Sequence, residues 1–295
     1  MSFPYLVSIR LMVYNHEDYI HEAIEGILNQ KTNFLVEVVI GDDFSTDRSL
    51  ELIRAYQNTR TIHFKILERK IGDQYWKKRQ ELGRLYNFIN IVENCSGKYI
   101  ALLDGDDYWT DPYKLQKQVD FLEANQDYNL VGHHAINSKQ EKLGNFDKDT
   151  FTFDTIYFRN IRIPTASLVF RNNLEISDWF YKIYGGDRAL IYLNSVKGKI
   201  KILPFDGSFY RIHAGGVEQL YKKDKFKYPI RCINEEIIYY HLINKLPKGF
   251  FLFKKIIKYH FYIIAYSIIK IRIDYFFKTF FSLLLFLIIR KVSIK

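Results

Sequence analysis

The sequence predicts an α/β fold: a mixed, mostly parallel sheet flanked by helices, with a helical extension at the C-terminal end. Three observations point to it. Over the first 135 residues, short runs of Val, Ile and Leu alternate with amphipathic segments of helical period. Acidic clusters stand directly after two of those runs, where an open α/β sheet places its ligands. The 295 residues are 48% hydrophobic and 26% charged, which excludes a disordered chain and leaves material for one large or two small domains.

The elements follow in order. Leu6–Val13 reads as a strand, and Glu17–Asn29 as a helix with Ile20, Ala23, Ile24, Ile27 and Leu28 on one face. Leu35–Ile40 is a second strand; Ser45-Thr46-Asp47 then supplies capping oxygens for a helix through Tyr56. Ile62–Leu67 is a strand and Glu81–Asn94 a helix, broken at Gly97 before the strand Tyr99–Leu103. Asp111-Pro112 opens a helix to about Ala124, with proline in the first turn where its missing N–H is harmless. Tyr128–Val131 begins a fifth strand. Residues 137–163 are polar and aperiodic, a loop-rich excursion; Ser167–Phe170, Lys201–Leu203 and Ser208–Arg211 read as strands around a helix at Asp187–Val196. Two domains are expected, 1–220 and a helical tail at 221–295.

Net charge is +10, which by itself suggests a nucleic-acid partner. Its distribution argues against one: Lys248 to Lys295 holds ten basic residues against the single acid Asp274, and the rest of the chain is near neutral. Two distant cysteines, Cys95 and Cys232, fit neither a disulfide framework nor a zinc site and suit a reducing, cytoplasmic setting. The first residues lack the pattern of a signal peptide, and no apolar run reaches the roughly 18 residues needed to span a bilayer.

Asp42-Asp43 follows Val38-Val39-Ile40-Gly41, and Asp104-Gly105-Asp106-Asp107 follows Ile100-Ala101-Leu102-Leu103. So many carboxylates at one sheet edge repel unless a cation or donor groups balance them. An Asp-x-Asp turn presents oxygens suited to Mg²⁺ or Mn²⁺. The residue at the twelfth loop position is Leu115, so an EF-hand fails, and no Walker A or GxGxxG loop occurs.

The segment Val7-Ser8-Ile9-Arg10-Leu11-Met12-Val13-Tyr14-Asn15, with Ile40-Gly41-Asp42-Asp43-Phe44-Ser45-Thr46-Asp47, resembles the start of a family 2 glycosyltransferase. Leu103-Asp104-Gly105-Asp106-Asp107-Tyr108-Trp109 resembles the DXD segment of that family. Gly186-Asp187, Gly198-Lys199-Ile200 and Tyr210-Arg211-Ile212-His213-Ala214-Gly215-Gly216 are similar to the closing motifs of its bacterial members. The likeness covers about residues 5–217, with its segments in the family's order.

The resemblance implies a GT-A (Rossmann-like) fold and transfer of a sugar from a nucleotide-sugar donor, by default a UDP-sugar, with inversion. It implies that Asp42 and Asp43 hold the nucleobase and ribose, with Tyr14, Asn15 and Glu17 lining that pocket. Asp104 would meet the donor ribose or sugar. Asp106, with His213, would hold a divalent metal, Mn²⁺ or Mg²⁺, on the diphosphate, and Asp187 would be the general base. The acceptor would be a saccharide or a lipid-linked saccharide, in surface polysaccharide synthesis. Phe44 stands where the family commonly has Gly, Met12 where it has Pro and Tyr86 where many members carry Arg; Arg10 is unexpected in a buried strand.

Other readings stay open at this point. Glu17 is also a first-turn acid that suits a helix dipole, Asp187 also an N-cap, and His213 also a loop histidine held by hydrogen bonds. Trp109, just past the DXD, is a candidate for stacking on the acceptor, although core packing is the commoner fate of tryptophan. The tail interleaves aromatics with lysines, as in Phe253-Lys254-Lys255-Ile256-Ile257-Lys258-Tyr259, a composition that suits an anionic membrane surface at the inner face of the cell membrane. The competing functions are a sugar-phosphate nucleotidyltransferase and a non-catalytic, membrane-docked carbohydrate-binding protein. The first would ordinarily carry a Gly-rich basic loop where Val13-Tyr14-Asn15-His16-Glu17 stands. The oligomeric state is left open.

Overall fold

The apolar runs become strands of one sheet. In the computed structural model the described residues are 3–144, 146–158, 161–183, 185–216 and scattered positions between 257 and 287. In chain order come β1 (Val7–Val13), α1 (Ile20–Leu28), β2 (Val36–Asp42), α2 (Ser49–Arg54), β3 (Ile62–Ile66), α3 (Gln74–Leu82), α4 (Arg84–Glu93), β4 (Tyr99–Asp104), β5 (Tyr108–Trp109) and α5 (Lys114–Ala124). Then follow β6 (Tyr128–Asn137), β7 (Lys142–Leu143), β8 (Thr150–Phe151), α6 (Phe153–Phe158), β9 (Val169–Arg171), α7 (Gly186–Lys197) and β10 (Lys199–Tyr210).

The strand order is β3-β2-β1-β4-β9-β6-β10-β5, with β7 on β6 and β8 on β10. β3, β2, β1 and β4 are parallel neighbours. β9 runs antiparallel between β4 and β6, and β10 is parallel to β6 with register shifts along Leu203–Ser208. Strands covered on both faces must be apolar nearly throughout, and Ile9, Leu11, Val13, Val36, Val38 and Ile40 are all fully buried. They share one core with Ile20, Ala23, Ile24 and Ile27 of α1, the face that the helical period predicts.

Several expectations change. The helix expected over 81–94 is two helices, because Gly83 takes φ +82°, a left-handed conformation that ends α3 and starts α4 in a new direction. The excursion 137–163 contains β7, β8 and α6, each too short to show a period. The two strands expected at 201–203 and 208–211 are one, β10, whose register shifts interrupt the alternation. The strand expected at Ser167–Phe170 begins two residues later, after a 3-10 turn, Thr165–Ser167.

The chain divides into one unit of Met1–Ile176 with Gly186–Ile212, and a second of Ser177–Gly185 with His213–Lys295. The first thus closes at Ile212, where the sequence division was expected at 220, and residues 177–185 fall in the second. Among the described residues all ten strands lie in the first unit. In the second, helical residues occur at 260–261 and 279–284, and His260 Nε2 lies 3.2 Å from Ser282 Oγ. The remaining positions for which helices were expected from Tyr228 onward lie outside the described residues. Among the described residues no helix is long and apolar enough to cross a membrane.

Candidate active site

Both acidic clusters meet at the carboxyl end of β1. Val13 is in register with Asp42, and Met12 with Asp104. The chain after each cluster is tied back to the same strand: Asp43 N–H donates to Val13 O at 2.8 Å, and Gly105 N–H to Met12 O at 2.9 Å. Parallel register thus gathers at one sheet edge carboxylates about 60 residues apart in sequence.

On the β2 side, the buried Asp42 accepts from Ser45 N–H at 3.0 Å and from Ser45 Oγ. Asn15 closes this loop: its N–H donates to Ser45 Oγ at 2.9 Å, and its Oδ1 accepts from Thr46 N–H at 2.8 Å. Asn15 and Phe44 have φ of +54° and +63°. A left-handed Phe44 explains why glycine suits that position, and such strain at loop tips clusters at ligand sites. Tyr14 is exposed at 54% beside them. Glu17 is engaged between loops, with Oε2 accepting from Arg48 N–H at 3.0 Å. Asp43 is held by Arg79, whose Nε lies 2.9 Å from each of its oxygens and whose Nη2 lies 2.7 Å from Oδ2. Of these five residues, Tyr14, Asn15 and Asp42 line one loop cluster, while the carboxylates of Glu17 and Asp43 are occupied by arginine partners.

On the β4 side, Asp104 ends the strand. Its Oδ1 accepts from Arg10 Nη1 at 2.7 Å, and the Arg10 side chain is fully buried. Burial pushes the Asp104 carboxyl above its ordinary range; Arg10 opposes that shift, and Asp106 and Asp187 add to it. Burial, reinforced by Asp106, drives Asp107 well above the usual range too, and Asp107 Oδ1 accepts from Arg211 N–H at 2.8 Å. Arg211 also donates from Nε to the Asp106 backbone carbonyl at 3.0 Å and pairs with Glu22, so it fastens the end of β10 to the DXD turn and α1. The Asp106 carboxylate lies 3.8 Å from His16 Nε2. His16 packs so tightly on the turn that a Cβ on Gly105 would come within 2.8 Å of its Nδ1.

Asp187 stands in the first turn of α7 and accepts from Thr165 Oγ1 at 2.9 Å. His213 belongs to the second unit, in a turn where Gly216 N–H donates to His213 O at 3.2 Å. Trp109 is not available to an acceptor. It is 4% exposed, its Nε1 donates to Ala166 O at 2.8 Å, and the buried Lys114 amine lies 4.1 Å above its ring. β5 pairs with β10 and turns that side chain into the core.

Three residues of the site escape sequence reasoning, Arg69, Tyr75 and Arg79, while Arg211 is legible only as part of a closing motif to which the sequence assigns it no role of its own. Arg69 donates to Asp42 O and Asn87 Oδ1 at 2.9 and 2.7 Å, and its guanidinium lies 3.8 Å over the Tyr75 ring. Burial pushes the Tyr75 hydroxyl well up, and it donates to Asp43 Oδ1 at 3.3 Å. The legible signal was Asp73, an N-cap accepting from Trp76 N–H at 2.6 Å, which starts α3 and carries Tyr75 and Arg79 to the loop.

Among the described residues no group of three or more His, Cys, Asp and Glu side chains is arranged to hold a metal ion. The residues present nevertheless suit a hard cation completed by phosphate oxygens. Three carboxylates crowd one turn, a histidine faces one of them, and His16 Nδ1 is buried without a hydrogen-bond partner among the described residues.

A curled, mostly parallel sheet that ends in paired carboxylates beside its central strand defines the GT-A class of fold. The first 349 residues of S. aureus TarS, solved in complex with UDP-GlcNAc, superpose with a TM-score of 0.60 at 17% identity, over 86% of this chain and 72% of that one. A Pyrobaculum calidifontis mannosyltransferase in complex with GDP-Man and Mn²⁺ gives 0.51 at 14% identity, over 88% and 69%. The chain belongs to glycosyl transferase family 2, whose model matches residues 8–178. An uncharacterized protein of Mycobacterium tuberculosis is 32% identical over 228 residues, 75% of this chain; the match spans 63% of that relative's length. The Escherichia coli UDP-Glc:alpha-D-GlcNAc-diphosphoundecaprenol beta-1,3-glucosyltransferase WfaP is 28% identical over 268 residues, 84% of this chain and 97% of its own length.

Proposed function

We propose that the chain transfers a sugar from a nucleotide-sugar donor, a UDP-sugar, to a saccharide or lipid-linked saccharide in surface polysaccharide synthesis, with inversion. The observation that carries this reading is the convergence of Asp42 and Asp104 on the carboxyl end of β1, with Asp106 in the turn that follows Asp104. The E. coli relative, by its name, uses UDP-Glc and a diphosphoundecaprenol-linked acceptor, which supports the same choice here.

The loop of Tyr14, Asn15 and Asp42 receives the nucleoside, with Arg69 and Arg79 holding its walls. Asp106 would hold a divalent cation against the diphosphate. Such a cation, when bound, supplies positive charge where the leaving phosphate gathers negative charge. Asp187 takes the proton of the acceptor hydroxyl as it attacks, and one base opposite the leaving group suits a single displacement. Thermal-shift screening with UDP, GDP and dTDP in the presence of Mn²⁺ tests the reading. At a hundredfold excess over Kd, the nucleotide that fits is expected to stabilise the protein by about 2.7 kcal/mol. No shift with any of them would sink it.

The tail is proposed to rest on an anionic membrane surface at the cytoplasmic face. Its described residues are inverted relative to a water-facing helix: His260 and Thr279 are buried, whereas Phe261, Phe277, Phe280, Phe281, Leu284 and Leu287 are exposed. Combined with its basic charge, this supports an apolar face in the headgroup region with lysines beside anionic lipid. Flotation with phosphatidylglycerol vesicles is expected to carry the protein upward. Replacing Phe277 and Phe281 together by Ser should weaken that binding at least about tenfold, since each buried aromatic contributes roughly 1.5–3 kcal/mol. Failure of the unaltered protein to float would remove the membrane from this reading.

A further inference from the structure

We propose that Arg10 is a positioning residue for donor binding: from inside the sheet it clamps one oxygen of Asp104, so that the other is presented in a single orientation to a hydroxyl of the nucleotide sugar. The inference rests on the reading that a nucleotide sugar occupies this sheet edge.

Arg10 lies in the middle of β1, in register with Val39 on one side and Leu102 on the other, and is 0% exposed. Its neighbours Ile9 and Leu11 belong to the core shared with α1, so the pleat sends Arg10 to the opposite face. There its guanidinium lies 4.5 Å from the ring centre of Phe88 on α4. Nη1 reaches Asp104 Oδ1 at 2.7 Å, while Nε and Nη2 have no hydrogen-bond partner among the described residues. A buried guanidinium with two unpartnered nitrogens is a poor means of stabilising a strand. An apolar side chain of similar volume would serve a purely structural purpose as well or better.

The arrangement makes sense from the side of Asp104. That side chain is 27% exposed and straddles the core and the open edge. With Oδ1 tied, the carboxylate cannot turn about its own axis, and Oδ2 has no hydrogen-bond partner among the described residues. A preset acceptor loses no rotational freedom when a hydroxyl arrives. Arg10 also offsets one of the three negative charges in the DXD turn, which leaves Asp106 to attract the cation.

The test is isothermal titration of the full chain, first with Mn²⁺ alone and then, at saturating Mn²⁺, with the nucleotide sugar whose nucleotide stabilises the unaltered protein. If the unaltered protein binds no nucleotide sugar, the donor-site reading fails before Arg10 is in question. If it binds, Arg10→Met is expected to raise the nucleotide-sugar Kd at least fivefold while the Kd for Mn²⁺ alone is unchanged or lower, because the released Asp104 charge now faces Asp106. Asp104→Asn should mask the effect, so that the double variant is no weaker than Asp104→Asn by itself. A change below fivefold, a parallel loss of Mn²⁺ affinity, or multiplicative effects in the double variant would each overturn the proposal. Should Arg10→Met not fold, Arg10→Gln, which keeps a polar side chain and removes the charge that holds Asp104, is read by the same criteria.

Discussion

Asp106→Asn is expected to abolish cation-dependent donor binding and to lower kcat/KM by about 10³-fold or more, the scale set by several kcal/mol of charge stabilisation at a leaving diphosphate. The physical reason is where this carboxylate stands. It sits at the tip of the turn after β4, opposite His16 Nε2, and Arg211 grips its backbone carbonyl with Nε. The arginine therefore holds the turn without spending Nε on the carboxylate. Asparagine keeps the size and the turn, so the melting temperature should change little. Calorimetry with Mn²⁺ and nucleotide, alongside initial rates, checks this; undiminished metal-dependent binding in the variant would refute Asp106 as the cation ligand.

Asp187→Asn is expected to separate binding from chemistry. Donor affinity should stay within about twofold, while turnover falls by roughly 10²- to 10⁴-fold, the usual contribution of a positioned base. The competing role is structural, since an acid in the first turn of α7 gains about 0.3–1 kcal/mol from the helix dipole. That role predicts a lower melting temperature with unchanged kcat. Asparagine still accepts from Thr165 Oγ1, so the α7 N-terminus should keep its place. A variant that turns over at the normal rate would remove Asp187 as base.

The elements that were legible are those in which one physical requirement dominates. β1, β2 and β4 are buried on both faces and could be read from continuous apolar runs. α1 faces one core with Ile20, Ala23, Ile24 and Ile27, and its period shows. The meeting of Asp42 with Asp104 was legible as soon as the sheet was read as parallel, because parallel strands end at the same edge. β7, β8 and α6 were not legible, since two to six residues carry no period. α3 was missed because it buries no residue of its own. It is held by a cap at Asp73 and by Arg79 on Asp43, a partner 36 residues away.

Trp109 shows the limit from the other side. Beside a DXD turn, an aromatic reads equally well as a stacking platform or as core, and pairing of β5 with β10 settles it as core. Likewise Glu17 and Asp43 are carboxylates of the right type at the right place, and only the folded chain reveals that Arg48 and Arg79 already engage them.

By itself, then, the sequence determined the α/β class, the family's motifs in their order and the sheet edge at which the chemistry gathers, because burial and strand direction are written in local apolar pattern. The tertiary structure decided which carboxylates at that edge are engaged and by what: Arg79 on Asp43, Arg211 on Asp107 and Arg10 beneath Asp104. The arginines that set those roles, Arg79 and Arg10 through their guanidinium groups and Arg211 through its backbone N–H, come from strands and helices far off in sequence, and pairing at such separation leaves no trace in local composition.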